Sequence, residues 1–200
     1  MPKISSEKFQ LRKLEIIDKA FEVFSSKGYS QSSMEDIVKH SGISKGGLYT
    51  YFKSKEEIFL AIAQQRFQMR SNVLHEMTDI ESASQKVTLY LRWFLDSLET
   101  ESVCMGIRFT TEFWSIMSRS TCKNEIAQVR YKKFEEDLQQ LLLEGIQNGE
   151  FRQNLNTKSA VYLIITSLDG VGFTDAVMGI KINEATISEY INMILNYLRG

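Results

Sequence analysis

After Pro2 this chain of 200 residues contains no further proline, so no pyrrolidine ring interrupts a helix anywhere downstream. That omission, together with apolar residues recurring every three or four positions, restricts the chain to packed helices. The first stripe is Leu11, Leu14, Ile17, Ala20, Phe21 and Phe24, in a helix over 9–27 that Gly28 ends. A continuous helix is expected over 55–75 through Ile58, Phe59, Ile62 and Met69. Another opens at Ser82, with Gln85 as the second half of a capping box, and runs through Val87, Leu91, Phe94, Leu95 and Leu98. Helices follow at about 104–118, 123–148, 157–178 and 184–198, with Gly149 closing the second of these. The fold class is all-α, and the chain is long enough to bury a substantial core.

Residues 33–57 carry the most specific pattern. Ser33 is placed to cap a short helix, with Asp36 in its first turn and Ile37 and Val38 on its apolar side. Gly42 supplies the left-handed residue that ends it. Ser44 opens a second helix, Lys45 to Phe52, in which Leu48 and Phe52 share the inward face. Phe21 and Phe24 of the first helix are expected to pack near that pair. Helix, tight glycine turn and helix is the pattern whose second member enters the DNA major groove. On its outer side lie Gly46, Gly47, Thr50 and Tyr51. Two glycines cost a helix roughly 1 kcal/mol each against alanine, a cost explained if a sugar–phosphate strand approaches there. Lys45 reaches a phosphate or a guanine edge, and Tyr49, Thr50 and Tyr51 bring hydroxyls and thymine-facing surface. Ser54 to Glu57 forms a capping box that puts Lys55 in the first turn of the next helix, against the helix dipole. Lys55 is therefore assigned to a phosphate.

At these residues the chain resembles the TetR family of bacterial transcriptional repressors. The resemblance rests on Ser32-Ser33-Met34, Ile37-Val38, Gly42-Ile43-Ser44-Lys45-Gly46-Gly47-Leu48-Tyr49-Thr50-Tyr51-Phe52 and Lys55-Glu56. Val38 replaces the family's usual alanine, and Gly47 stands where Thr, Ser or Ala is commoner, leaving only backbone for a contact there. The resemblance implies an N-terminal helix-turn-helix domain, here 1–55, and a C-terminal helical ligand-binding and dimerisation domain, 56–200. It also implies an operator DNA partner, a small-molecule inducer and a homodimer in the cytoplasm, with no cofactor.

Charge agrees in sign. Residues 1–65 carry 10 Lys/Arg against 8 Asp/Glu, and the remainder 14 against 17, within a chain of formal charge −1. Binding to DNA then depends on a few placed cations rather than bulk charge. Cys104 and Cys122 form no CxxC motif and read as thiols. His40 and His75 lie far apart, which speaks against a metal site. No apolar run is long enough for a membrane span. An enzyme is disfavoured by the absence of nucleophile–base constellations and phosphate loops.

Aromatic residues crowd the middle of the chain. Trp93, Phe109, Phe113 and Trp114, with Met117, Tyr131 and Phe134, are assigned to a ligand site between helices. Glu112 is either a solvated surface charge or, turned inward, a partner for a cationic ligand. The expected ligand is thus hydrophobic or cationic. The last two helices read as the dimer interface, through Leu163, Ser167, Gly170, Ile187, Ile191, Ile194 and Leu195, the alternative being a terminal helix that covers its own domain. Gly170 and Gly172 would permit close approach or kink the helix. The alternative is a DNA-bound interaction protein whose C-terminal domain binds another protein; it predicts an exposed apolar patch and no enclosed cavity.

Overall fold

A computed structural model describes residues 6–119 and 124–200, the side chains at 124–127 and 129–131 excepted. Among the described residues the elements are α1 (Ser6–Lys27), α2 (Met34–Ser41), α3 (Lys45–Tyr51), α4 (Lys55–His75), α5 (Ala83–Ser97), α6 (Glu101–Met117), α7 (Asn124–Gln147), α8 (Thr157–Ala176) and α9 (Glu184–Arg199). The class is all-α, as the periodicity requires.

Local chemistry sets most boundaries. Ser33 accepts from the Asp36 backbone N–H while the Asp36 carboxylate accepts from Ser33, a complete capping box. Ser54 Oγ accepts from Glu57 N at 3.2 Å, but Glu57 turns back to Lys53 N at 2.6 Å rather than to the cap residue. At α5 the Ser82 hydroxyl caps Gln85 N. The return arm expected from Gln85 is instead Glu150, whose carboxylate accepts from the Ser82 hydroxyl and from Ala83 and Ser84 N–H groups. Helix α6 starts about a turn earlier than its apolar pattern suggests. Thr100 caps it through backbone alone, so no side-chain signal marks the start.

Two cores form. The N-terminal core joins Ile16, Ala20, Phe24, Ile37, Leu48 and Phe52 with Ile58, Phe59 and Ile62 of α4. Phe109, Phe113 and Met117 of α6 enter this core as well, and burying each ring contributes roughly 1.5–3 kcal/mol. The C-terminal core is built from α5, α7, α8 and α9 around Tyr90, Leu91, Leu138, Leu142, Ile164 and Leu168. Phe24 shares the core with Leu48 and Phe52, but Phe21 turns to α6, edge-on to Phe109 at 5.7 Å. Leu11 and Leu14, assigned to the buried stripe, are 57% and 46% exposed, while Phe9 of the same stretch stacks on Tyr51.

Helix α4 links the two regions. Its first half supplies Ile58, Phe59, Ile62 and Ala63 to the N-terminal core. Its last half lies against α7, where the Ser71 hydroxyl donates to the Asp137 carboxylate. No helix among the described residues is long and apolar enough to cross a membrane.

Candidate nucleic-acid interface and ligand cavity

The turn between α2 and α3 is set by Gly42, at φ 67°, whose N–H returns to Val38 O at 3.1 Å. Ser44 then caps α3 by accepting from Gly47 N at 3.1 Å. Leu48 and Phe52, both buried, anchor the helix. Lys45, Gly46, Tyr49 and Thr50 are left exposed on its far side. Lys45 Nζ pairs with Glu35 at 2.6 Å across the turn, and the hydrogen bond to that carboxylate raises the lysine pKa.

The other assigned residues of this face divide. A Cβ on Gly46 would meet only open space, whereas one on Gly47 would lie 2.9 Å from Ile43 Cγ1 and 3.0 Å from the capping Ser44 Oγ. Gly47 thus has an internal packing reason, and only Gly46 is bare for an approaching strand. The Thr50 hydroxyl donates to Gly46 O within the helix. Tyr51 is half-buried and stacked on Phe9 at 4.5 Å, and Ser33 is spent on its capping box.

Lys55 is a correction. Its Nζ donates to Tyr29 O at 2.7 Å and Ser32 O at 2.8 Å and sits 4.2 Å from the Tyr29 ring centroid. Two carbonyls and an aromatic face satisfy the ammonium internally, which outweighs the dipole argument for a phosphate. Exposed cations that the motif does not single out are Lys39 and Lys53, the latter donating to Tyr49 O.

A cavity of about 350 Å³ lies between α4, α5, α6 and α8. Trp93 and Phe94 enter from α5, Trp114 from α6, Phe173 from α8, and Phe67 and Met69 from α4. Two glycines make it. A Cβ on Gly106 would lie 2.1 Å from Arg66 Nη1, and one on Gly172 would meet the Phe94 ring at 3.1 Å. With a side chain at Gly106 the Arg66 guanidinium would have to move, and at Gly172 the Phe94 ring would have to give by a few tenths of an ångström.

Arg66 and Arg70 are the functional candidates that aromatic counting passed over. Both line the cavity. Arg66 lies 3.9 Å from the Phe21 ring centroid, and burial pushes its guanidinium down to about 10. Arg70 Nη1 donates to Asp169 Oδ1 at 2.9 Å, while its buried Nε and Nη2 have no hydrogen-bond partner. A signal was present in the sequence. Ile58, Ile62, Arg66 and Arg70 follow one another at i+4, so the arginines continue the stripe that is buried one and two turns earlier.

Of the residues assigned to the ligand, Trp93 and Trp114 line this cavity. Phe109, Phe113 and Met117 instead fill the N-terminal core and Phe134 the C-terminal one, each 1–2% exposed. None of these four side chains is among those that line the cavity. The Tyr131 side chain and Cys122 lie outside the described residues. Glu112 points away from the cavity: Oε2 accepts from Tyr29 N at 3.0 Å and Oε1 from Ser30 N at 3.3 Å. A carboxylate satisfied by backbone N–H groups leaves no reason to seek a cationic ligand.

The interface assignment divides in the same way. Ile187, Ile191, Ile194 and Leu195 are 5–9% exposed and belong to the chain's own core, so they are not free to meet a partner. Ser167 is bonded to the Tyr190 hydroxyl at 2.6 Å. Leu163 is exposed and Gly170 meets open space. They lie on an outer α8 face with Tyr162 and Phe173, beside Met193 of α9.

Comparison with known proteins bears on both sites. Residues 16–62 match the model for bacterial regulatory proteins of the tetR family, and residues 82–186 that for the tetracyclin repressor-like C-terminal domain. The chain is 28% identical over 171 residues to the HTH-type transcriptional regulator YfiR of Bacillus subtilis (strain 168), covering 85% of this chain and 82% of that protein. It is 27% identical over 157 residues to the fatty acid metabolism regulator protein of the same organism, covering 78% and 79%. In fold it is similar to the crystal structure of FadR from Bacillus subtilis in complex with stearoyl-CoA. That likeness has a TM-score of 0.72 at 23% identity and covers 94% of this chain and 97% of that one.

Proposed function

This chain belongs to the TetR family of bacterial transcriptional regulators, and on that premise we propose that it binds a palindromic operator as a homodimer and releases it when a small ligand enters the α4–α5–α6–α8 cavity. The observation that carries this reading is the course of α4. The same helix gives Ile58, Phe59 and Ile62 to the core that holds α3, and Phe67, Met69 and Arg70 to the cavity. A ligand that prefers one placement of α4 therefore acts on the recognition helices, with a coupling of about 1–3 kcal/mol.

A twofold dimer presents two copies of α3 to successive major grooves, about 34 Å or a multiple apart. Lys45, Gly46, Tyr49 and Thr50 are the contacts on that face, and Lys53 adds a cation beside them. The outer α8 face around Leu163, Gly170 and the exposed Tyr162 is the subunit contact, with Phe173 and Asp169 left at the rim of the cavity. Likeness to a fatty acid metabolism regulator and to a stearoyl-CoA complex supports an acyl compound as effector in place of a cation. The cavity, open to solvent beside Met69, Trp93 and Phe173, favours a small molecule over a protein partner as the controlling ligand.

The test is fluorescence anisotropy of a labelled duplex carrying the DNA upstream of the protein's own gene. We expect binding of one dimer and release on adding an acyl compound. Binding that no acyl compound reverses overturns the ligand part. Absence of binding to that duplex and to fragments selected from the genome overturns the whole.

A further inference from the structure

We propose that the cavity selects a ligand with one anionic group on an apolar body of roughly a dozen heavy atoms, and that this group takes the place of Asp169 at Arg70. The proposal rests on the reading of the cavity as the effector site and specifies its chemistry.

The donors available inside the cavity decide the ligand's charge. Three hydroxyls line it, but each already donates within its own helix: Ser97 to Phe94 O, Thr110 to Gly106 O and Thr111 to Ile107 O. Beside the uncharged indole N–H groups of Trp93 and Trp114, what remains is guanidinium. Arg70 lies between the Phe94 and Phe134 rings, at 5.0 and 5.2 Å from their centroids, with 15% of its side chain exposed. Asp169 uses Nη1 alone, and the buried Nε and Nη2 atoms make no hydrogen bond, although the Tyr90 hydroxyl lies near enough to favour the charged guanidinium. A buried donor left unmade is costly, and a planar fork with free N–H groups fits a carboxylate or phosphate oxygen pair.

Charge counting agrees. Arg66, Arg70 and Asp169 are the ionisable groups that line the cavity, leaving one excess positive charge. Arg66 has no carboxylate within ion-pair distance among the described residues; Asp18 acts on it only from further away. The Asp169 carboxylate is 48% exposed, so it moves into water at little cost once an anion takes over Arg70. That exchange unties α8 from α4 at this point.

Size sets the rest. At about 30 Å³ for each water-sized group, a cavity of about 350 Å³ holds a body like decanoate. The anion belongs either to a free carboxylate or to the phosphates of an acyl thioester, and both would use the same guanidinium fork.

The experiment is a titration of Trp93 and Trp114 fluorescence with decanoate, decanol and decanoyl-CoA, on the full chain and on Asp169→Asn and Arg70→Lys. Decanoate is expected to bind about ten-fold or more tighter than decanol. Asp169→Asn, which removes the competing carboxylate, should tighten decanoate several-fold without moving decanol, and Arg70→Lys should weaken decanoate alone. The same pattern with decanoyl-CoA in place of decanoate supports the exchange and assigns the anion to the CoA phosphates. Decanol binding as tightly as either anion overturns the proposal, as does indifference of anion binding to Asp169→Asn, a solvent-side change that leaves the core intact. Anion binding with this pattern but without effect on DNA affinity leaves the proposal standing and overturns the effector reading.

Discussion

The carboxylate of Glu112 lies 3.0 Å from the backbone nitrogen of Tyr29, 83 residues away in the chain. With Ser30 N on its other oxygen and Lys55 Nζ bonded to Tyr29 O and Ser32 O, the turn between α1 and α2 is gripped from two sides. One grip comes from α6 and the other from α4, two of the four helices that also wall the cavity. The turn leading into the helix-turn-helix is thus attached to both.

Replacing Glu112 tests that attachment. Glu112→Ala leaves two backbone N–H groups without their acceptor and should lower unfolding free energy by about 1–3 kcal/mol, read by urea denaturation. Glu112→Gln keeps one acceptor oxygen and should cost less. Neither should change ligand affinity, because the side chain faces the turn; a loss of ligand binding in Glu112→Gln would return Glu112 to the cavity.

Lys45 and Glu35 compete with DNA in opposite senses. Lys45→Ala should weaken operator binding and, if the contact is a phosphate, flatten the salt slope by about one unit. Glu35→Ala frees the same ammonium from its 2.6 Å partner and should strengthen binding at low salt. Both pairs of anisotropy titrations must be run over a range of salt; equal slopes in wild type and Lys45→Ala remove the phosphate contact.

The two faces of the last helices predict different failures. Leu163→Glu puts a charge on the exposed α8 face and should give a folded monomer by analytical ultracentrifugation, with operator affinity lost. Ile191→Glu puts it into the chain's own core, where Ile191 is 5% exposed. It should cost several kcal/mol and reduce helical circular dichroism rather than dissociate a folded dimer. A dimeric Leu163→Glu places the interface elsewhere.

Two helical glycines separate rigid from yielding neighbours. A Cβ on Gly145 would fall 2.2 Å from the Phe151 ring, itself buried; Gly145→Ala should therefore destabilise by about 1–3 kcal/mol despite alanine's helix preference. At Gly106 the clash is with the end of Arg66, which can swing aside. Gly106→Ala should leave thermal stability nearly unchanged while altering tryptophan fluorescence. Equal losses in both variants would show that Arg66 is as firmly held as the ring.

Helix positions, the glycine turn at Gly42 and the caps at Ser33, Ser44, Ser54 and Ser82 were legible because each depends on residues within one turn of chain. Period alone put Gly46 and Thr50 on the outer side of α3, opposite Leu48 and Phe52, but it also put Gly47 and Tyr51 there, which pack against Ile43 and Phe9. Tertiary structure decided what each face meets. Periodicity says that Ile191 is buried but not against which helix, and the partner is its own core. It marks Glu112 and Lys55 as charges without showing that backbone groups of one loop satisfy both. It counts aromatic rings without telling those that fill a core from the two tryptophans that border a void. Arg66 and Arg70 lie on the buried stripe of α4, yet their role required the gap left by Gly106 on α6 and the carboxylate of Asp169 on α8. Such partners are long-range, and burial, charge and hydrogen bonding act on them only after the helices have packed.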